Sequence, residues 1–171
     1  MENNDISFSK NEKEIKIGRK RIGISSNIER FNFRVASIIE KDGNVLLHKQ
    51  KKDKFWNLLG GRVKYGETCE EALRRELSEE LGCCCGKTQL VHVCENFFEF
   101  KGTAFHELLV IFRTELSDEI DMKEVEENIE IKWFPKNMLN EVVIKPEFVK
   151  KMMKETSNQI SWLVNDEIRK E

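Results

Sequence analysis

Three glutamates on one predicted helix are the residues whose types and spacing could do chemistry. In the 171-residue chain, Glu76, Glu79 and Glu80 stand at positions i, i+3 and i+4, which places their side chains together on one helix face. Three carboxylates repel one another unless cations lie among them. Because ligands made only of oxygen suit hard ions, the cluster favours Mg²⁺ or Mn²⁺, and Mg²⁺ in turn favours phosphate as a further ligand.

The apolar side of the same helix raises a second point about these acids. At about 100° of rotation per residue, Glu76 and Glu80 point into the continuous arc of apolar side chains on residues 69–81. An uncompensated buried carboxylate costs several kcal/mol, so we expect a bound metal ion to satisfy both acids. The arc comprises Cys69, Ala72, Leu73, Leu77 and Leu81.

An ordinary surface helix is the alternative interpretation. The segment contains opposite charges at i,i+4 spacing, which stabilise exposed helices; the pairs are Glu70–Arg74, Glu71–Arg75 and Arg75–Glu79. This alternative does not account for the two acids inside the apolar arc.

The elements around the helix have clear local signals. Thr68 and Glu71 form a capping box before it, and Gly82 stands where it should end. Two hairpins are predicted from alternating apolar runs that flank short turns, "KDG" in the first and "KGT" in the second. Their strands are "FNFRVASIIE", "NVLLHKQ", "TQLVHVCENFFEF" and "AFHELLVIFRTEL", and "IEIKWF" predicts a fifth strand.

The C-terminal third completes the predicted fold. Pro135 opens a short helix over "KNMLN", and "EFVKKMMKET" and "ISWLVNDEI" are also predicted to be helical. Hairpins combined with helices favour an α/β (α+β) fold with a mixed sheet packed between helices. We expect residues 31–171 to form a single domain and residues 1–30 to form a polar arm with at most one short strand.

Composition limits the classes of partner. The net charge of −2 gives no reason to expect DNA, and no run of apolar residues is long enough for a membrane span. The five cysteines contain no C-x-x-C spacing, which argues against a zinc knuckle or a redox pair. We expect a soluble protein of the cytoplasm with reduced thiols, and whether it forms a homodimer stays open.

The segment "GGRVKYGETCEEALRRELSEELGC" resembles the signature of the Nudix hydrolases, G-x5-E-x7-R-E-U-x-E-E-x-G-U, where U is aliphatic. Residues 61–83 match every charged and glycine position. Cys83 replaces the last aliphatic residue, and Leu59 stands where many members have proline. The resemblance implies a Nudix-type α/β/α sandwich that hydrolyses a pyrophosphate linkage in a nucleoside diphosphate joined to another moiety, with Mg²⁺ or Mn²⁺.

The resemblance also implies roles for individual residues. Glu76, Glu79 and Glu80 would be metal ligands, together with the backbone carbonyl of Gly60. The remaining pair is Glu67 and Arg75: they would bind each other and hold the loop against the helix, while Arg74 pairs with Glu70 on the surface.

The general base varies within the family, so this role stays open. Glu127, six residues before Trp133, is the first candidate, followed by Glu126 and Glu130, with Glu79 as the alternative within the signature. Two other functions also stay open: a catalytically silent Nudix-fold nucleotide sensor, and an RNA cap hydrolase. The sensor would usually have lost acids of the signature, and the cap hydrolase would call for a broad basic surface.

Overall fold

Six strands and two helices make up the part of the chain that the structure describes. This structure is a computed structural model, and it describes residues 29–82, 85–117, 128–157 and 159–168. The strands are β1 (Glu29–Lys41), β2 (Asn44–Gln50), β3 (Cys85–Phe100), β4 (Thr103–Leu116), β5 (Ile129–Pro135) and β6 (Ser161–Asp166). The helices are α1 (Cys69–Leu81) and α2 (Val149–Met152), and a single 3₁₀ turn spans Lys136–Met138.

The strands form one mixed sheet in the order β5-β2-β1-β4-β3-β6. Both predicted hairpins are present, because β1 pairs antiparallel with β2 and β3 pairs antiparallel with β4. The central pair β1–β4 is parallel, as is β3–β6. The prediction of a mixed rather than a doubly wound sheet is therefore confirmed.

Each face of the sheet has its own apolar core. Helix α1 covers one face, which we call the helix face, and buries Leu73, Leu77 and Leu81 completely against it. Burial of a leucine side chain contributes about 1.5–3 kcal/mol, so these three residues hold the helix firmly. On the other face, called the opposite face, segment 139–153 packs five buried apolar residues against those of the strands: Leu139, Ile144, Val149, Met152 and Met153. The predicted sandwich of a sheet between helical segments is confirmed.

The predicted ends of α1 are also confirmed. The Thr68 hydroxyl accepts a hydrogen bond from the Glu71 backbone N–H, and the Glu71 carboxylate accepts one from the Thr68 N–H. Gly82 ends the helix in the left-handed conformation. The caps fix where α1 begins and ends, and the burial of its leucines against the sheet sets which side its acids face.

One prediction about the C-terminal segment was wrong. "ISWLVNDEI" contains strand β6, and within "EFVKKMMKET" only Val149–Met152 is α-helical. Along β6, Leu163 packs on the opposite-face core while Trp162 and Val164 are exposed. This alternation of buried and exposed side chains is typical of a β-strand, and the backbone of β6 forms its hydrogen bonds with the free edge of β3.

Some predictions lie outside the described residues, namely those for the arm up to residue 28 and those for Cys83, Glu126 and Glu127. No helix in the described ranges combines the length and the apolar character needed to cross a bilayer.

Candidate active site

A short extended segment, residues 59–63, lies beside β1 and forms one wall of the candidate site. We call it the glycine loop. The Val35 N–H donates to the Gly61 carbonyl over 2.9 Å, and the Val63 N–H donates to the Phe33 carbonyl over 3.0 Å. Antiparallel pairing of this kind fixes which residues of the loop point to each face of the sheet.

The two glycines of the loop are required by close contacts. A side chain on Gly60, whose φ is 136°, would place its Cβ 2.3 Å from the Val35 carbonyl oxygen. A Cβ on Gly61 would lie 2.2 Å from the carboxyl carbon of Glu76. Gly61 therefore faces the acids of α1, and its missing side chain leaves the room that the Glu76 carboxylate occupies.

Glu80 is the buried member of the acidic cluster. Its Oε2 accepts a hydrogen bond from the Gly60 N–H over 3.0 Å. Its Oε1 lies 3.1 Å from His48 Nδ1, which is close enough for an ion pair but lacks the alignment of a hydrogen bond. A backbone N–H therefore satisfies one oxygen of the carboxylate for which we expected a metal ion, and an imidazole nitrogen lies beside the other oxygen.

Arg75 connects the other acids of the site. Its guanidinium donates to both carboxylate oxygens of Glu67, over 2.6 and 2.9 Å, and its Nη1 donates to Glu76 over 2.8 Å and to Glu79 over 3.2 Å. Its Nη2 also donates to the carbonyl of Arg62 in the glycine loop. The predicted Glu67–Arg75 pair is confirmed, and it ties the loop to the helix.

These contacts shift the protonation of the pair. Hydrogen bonds from Arg75 and from the Lys64 N–H lower the pKa of Glu67 to about 2. The hydrogen bond to Glu67 raises the pKa of Arg75 above its ordinary value. Both groups therefore carry full charge at neutral pH, and their contact is charge-assisted. On the surface, Arg74 pairs with Glu70 over 2.8 Å, as predicted.

The donor set of this site fits a hard divalent cation. The acidic side chains of the site, Glu76, Glu79 and Glu80, are carboxylates, and carboxylate oxygens are the ligands that such an ion prefers. Within the described ranges, no three acidic, histidine or cysteine side chains converge closely enough to enclose a metal ion. The Glu79 side chain is 53% exposed, which leaves it room to turn toward its two neighbours.

Sequence reasoning missed His48, which contacts Glu80. The signal that could have found it is the alternation along β2: Leu46 is buried in the helix-face core, and His48, two residues later, points to the same side. Of the candidate bases, Glu130 lies on β5 with its carboxylate 3.0 Å from Lys49 Nζ. The structure does not bring Glu130 to the acids of α1 through any described contact.

The sequence of this chain matches a protein family and individual curated proteins. The model of the NUDIX domain family matches residues 29–155. Curated proteins named nucleoside triphosphatase NudI, from Enterobacter sp. (strain 638) and Escherichia coli, are each 49% identical to this chain over 53 residues. That match covers 28% of this chain and 38% of the relative, so the chain spans well under two thirds of the length of these curated relatives.

Solved structures show the same fold. A mutator MutT protein from Bacillus halodurans superposes with a TM-score of 0.61 at 18% identity, covering 80% of this chain and 91% of that protein. A NUDIX hydrolase from Nitrosomonas europaea gives 0.60 at 20% identity, covering 73% and 87%. With a family model that spans most of the chain, and with the signature residues assembled around one loop and one helix, this chain belongs to the Nudix family.

Proposed function

We propose that this chain is a divalent-metal-dependent hydrolase that cleaves a pyrophosphate linkage in a nucleoside diphosphate joined to another moiety. The observation that carries the proposal is the position of Glu76 and Glu80 against the glycine loop, with Arg75 bound both to Glu79 and to the loop. Family membership supports the reaction class. The name of the NudI relatives supports a nucleoside triphosphate as one substrate to test.

Glu76, Glu79, Glu80 and the Gly60 carbonyl are the groups that would hold Mg²⁺ or Mn²⁺ in this proposal. When bound, such an ion neutralises phosphate charge and lowers the pKa of a water molecule. Glu80 is already oriented by the Gly60 N–H, and Glu76 by Arg75, so two of the acids are held in place by their neighbours.

Glu67 and Arg75 act as positioning residues. Glu67 accepts from the Lys64 N–H, and Arg75 donates to the Arg62 carbonyl, so the pair fastens the backbone of the glycine loop to the helix. This holds the Gly60 carbonyl at a fixed place relative to Glu80. For the base that takes the proton from water, we propose Glu127, with Glu79 as the alternative.

The test is a panel of nucleoside triphosphates, nucleotide sugars, ADP-ribose and dinucleotide polyphosphates with Mg²⁺ or Mn²⁺, scored for released phosphate or mononucleotide. We expect hydrolysis of at least one class, and a loss of at least about 10²-fold in kcat for Glu79→Gln, since even residues that only support a metal ligand are worth 10- to 100-fold. Glu70→Gln is the matched control, because Glu70 lies on the same helix but faces Arg74 and Thr88.

Two results would count against the proposal. Release from no substrate class, with metal binding intact, would favour a silent sensor. Full activity of Glu79→Gln would remove Glu79 from the metal site. The cytoplasm as location and a homodimer as assembly stay predictions.

A further inference from the structure

Two arginines stand directly opposite each other where the glycine loop pairs with β1. Arg34 and Arg62 are cross-strand partners, and the flanking hydrogen bonds join their neighbours rather than the two residues themselves. In an antiparallel pair, this is the position at which side chains come closest. Like charges directly opposite each other are destabilising, so the pair calls for an anion.

The protein supplies one carboxylate to this pair. Arg34 Nη1 lies 3.7 Å from Oε2 of Glu107, which is only 3% exposed. The Asn96 side chain donates to Glu107 Oε1 over 3.2 Å, and Asn165 donates to Asn96 over 2.7 Å. A polar row on β4, β3 and β6 therefore holds Glu107 in place, and Glu107 in turn holds Arg34.

One carboxylate leaves the second positive charge unbalanced. Arg62 is exposed, and it makes no ion pair with any residue in the described ranges. Arg34 is also partly open, with 38% of its side chain exposed. Two guanidinium groups are thus within reach of a ligand, and guanidinium matches the geometry of phosphate oxygens.

The position of the pair connects it to the proposed active site. Arg62 directly follows Gly61, which faces the acids of α1, and residues alternate in an extended segment, so Arg62 points to the opposite face of the sheet. Arg34 lies on that same face, in register with Leu109 of the opposite-face core. In the glycine loop, Gly61 therefore faces the acids of α1, and the next residue, Arg62, faces the other side of the sheet together with Arg34.

We propose that Arg34 and Arg62 form an anion subsite that binds a phosphate group of the substrate on the face away from α1, with Glu107 and Asn96 as positioning residues for Arg34. This inference rests on the proposed function for the identity of the substrate. It does not rest on the proposed metal, because the two arginines and their partners are distinct from the acids of α1.

The binding test uses inorganic pyrophosphate titrated calorimetrically into the full chain in EDTA. We expect Arg34→Gln and Arg62→Gln each to weaken binding by at least about tenfold, since a hydrogen bond to a charged group is worth about 1.5–3 kcal/mol. Arg30→Gln is the matched control, because Arg30 is an exposed arginine on the same strand and face; its effect should stay below about twofold. Glu107→Gln should also weaken binding, and a circular dichroism melt of each variant separates this from unfolding.

The outcomes test the anion subsite and the proposed hydrolase function separately. Equal binding of pyrophosphate by the wild type, Arg34→Gln and Arg62→Gln, or no binding by the wild type, overturns the subsite. If the substrate panel shows hydrolysis, Arg62→Gln should raise KM while kcat stays within about threefold, as expected for uniform binding. If the panel shows no hydrolysis but pyrophosphate binding follows the expected order, the proposed function fails and the subsite stands.

Discussion

Replacing Gly61 with alanine tests whether the glycine loop positions the acids of α1. The new Cβ would lie 2.2 Å from the Glu76 carboxyl carbon, whereas ordinary contacts begin near 3.4 Å, so the carboxylate must withdraw by about 1 Å. The atoms in conflict are the end of a flexible side chain and not backbone. A misplacement of about 1 Å can cost about 10²-fold in rate, and we expect a loss of that order in kcat.

Stability should respond differently from activity. An alanine with a compatible backbone gains about 0.4–1 kcal/mol over glycine through the unfolded state, and the displaced Glu76 loses its hydrogen bond from Arg75. The two effects oppose each other, so the free energy of unfolding of Gly61→Ala should stay within about 1 kcal/mol of the wild type. The assays are urea unfolding, Mn²⁺ titration, and hydrolysis of the best substrate in the panel.

Neighbouring glycines provide the controls. Gly60→Ala brings a Cβ within 2.3 Å of backbone at a φ of 136°, and should lose at least about 2 kcal/mol of stability. At Gly66 a Cβ meets nothing within 4 Å, but φ is 85°, so Gly66→Ala should lose about 1 kcal/mol and keep its activity. A Gly61→Ala variant with kcat within threefold of the wild type, and unchanged Mn²⁺ affinity, would refute the placement of Glu76 as a ligand.

Two further predictions concern the base and the ion pair. Glu127→Gln should lower kcat by at least about 10²-fold if Glu127 is the general base, and a kcat near the wild-type value would return that role to Glu79. Since the pKa of Glu67 is about 2 in the folded protein and 4.5 as its ordinary value, the ionised pair stabilises the fold above pH 4.5, and this stabilisation is lost as the pH falls toward 2. The unfolding free energy of Glu67→Gln should therefore fall less steeply than that of the wild type between pH 4.5 and 2, measured by urea titration at several pH values; parallel curves would contradict this.

Elements with local signals were predictable from the sequence. The helix α1 has a capping box at one end and Gly82 at the other, and both hairpins have turns of the expected type. These signals depend on neighbours in the sequence, so they do not require knowledge of the fold. The pairing of Glu67 with Arg75 came from the family resemblance, and the structure contains it.

Features that depend on distant residues could not be predicted in the same way. Strand β6 forms because the free edge of β3 is available, and helical and strand patterns are hard to separate in a short apolar segment. Likewise, i,i+4 spacing brings Arg75 to Glu79, but it does not bring Arg75 to the adjacent Glu76. That contact arises because Glu67 and the loop carbonyl hold the guanidinium in one orientation.

The register of the glycine loop also constrains which changes in chain length the protein can tolerate. Two backbone bridges, His48–Asn57 and Arg34–Arg62, fix both ends of the segment between them. Inserting or deleting one residue there would turn Arg62 toward the acids and a glycine away from them, because successive residues of an extended segment face opposite sides. Variation in length among homologues should therefore be confined to the exposed turn around residues 51–54, while the six positions from 57 to 62 keep their number even where residue types other than the two glycines change.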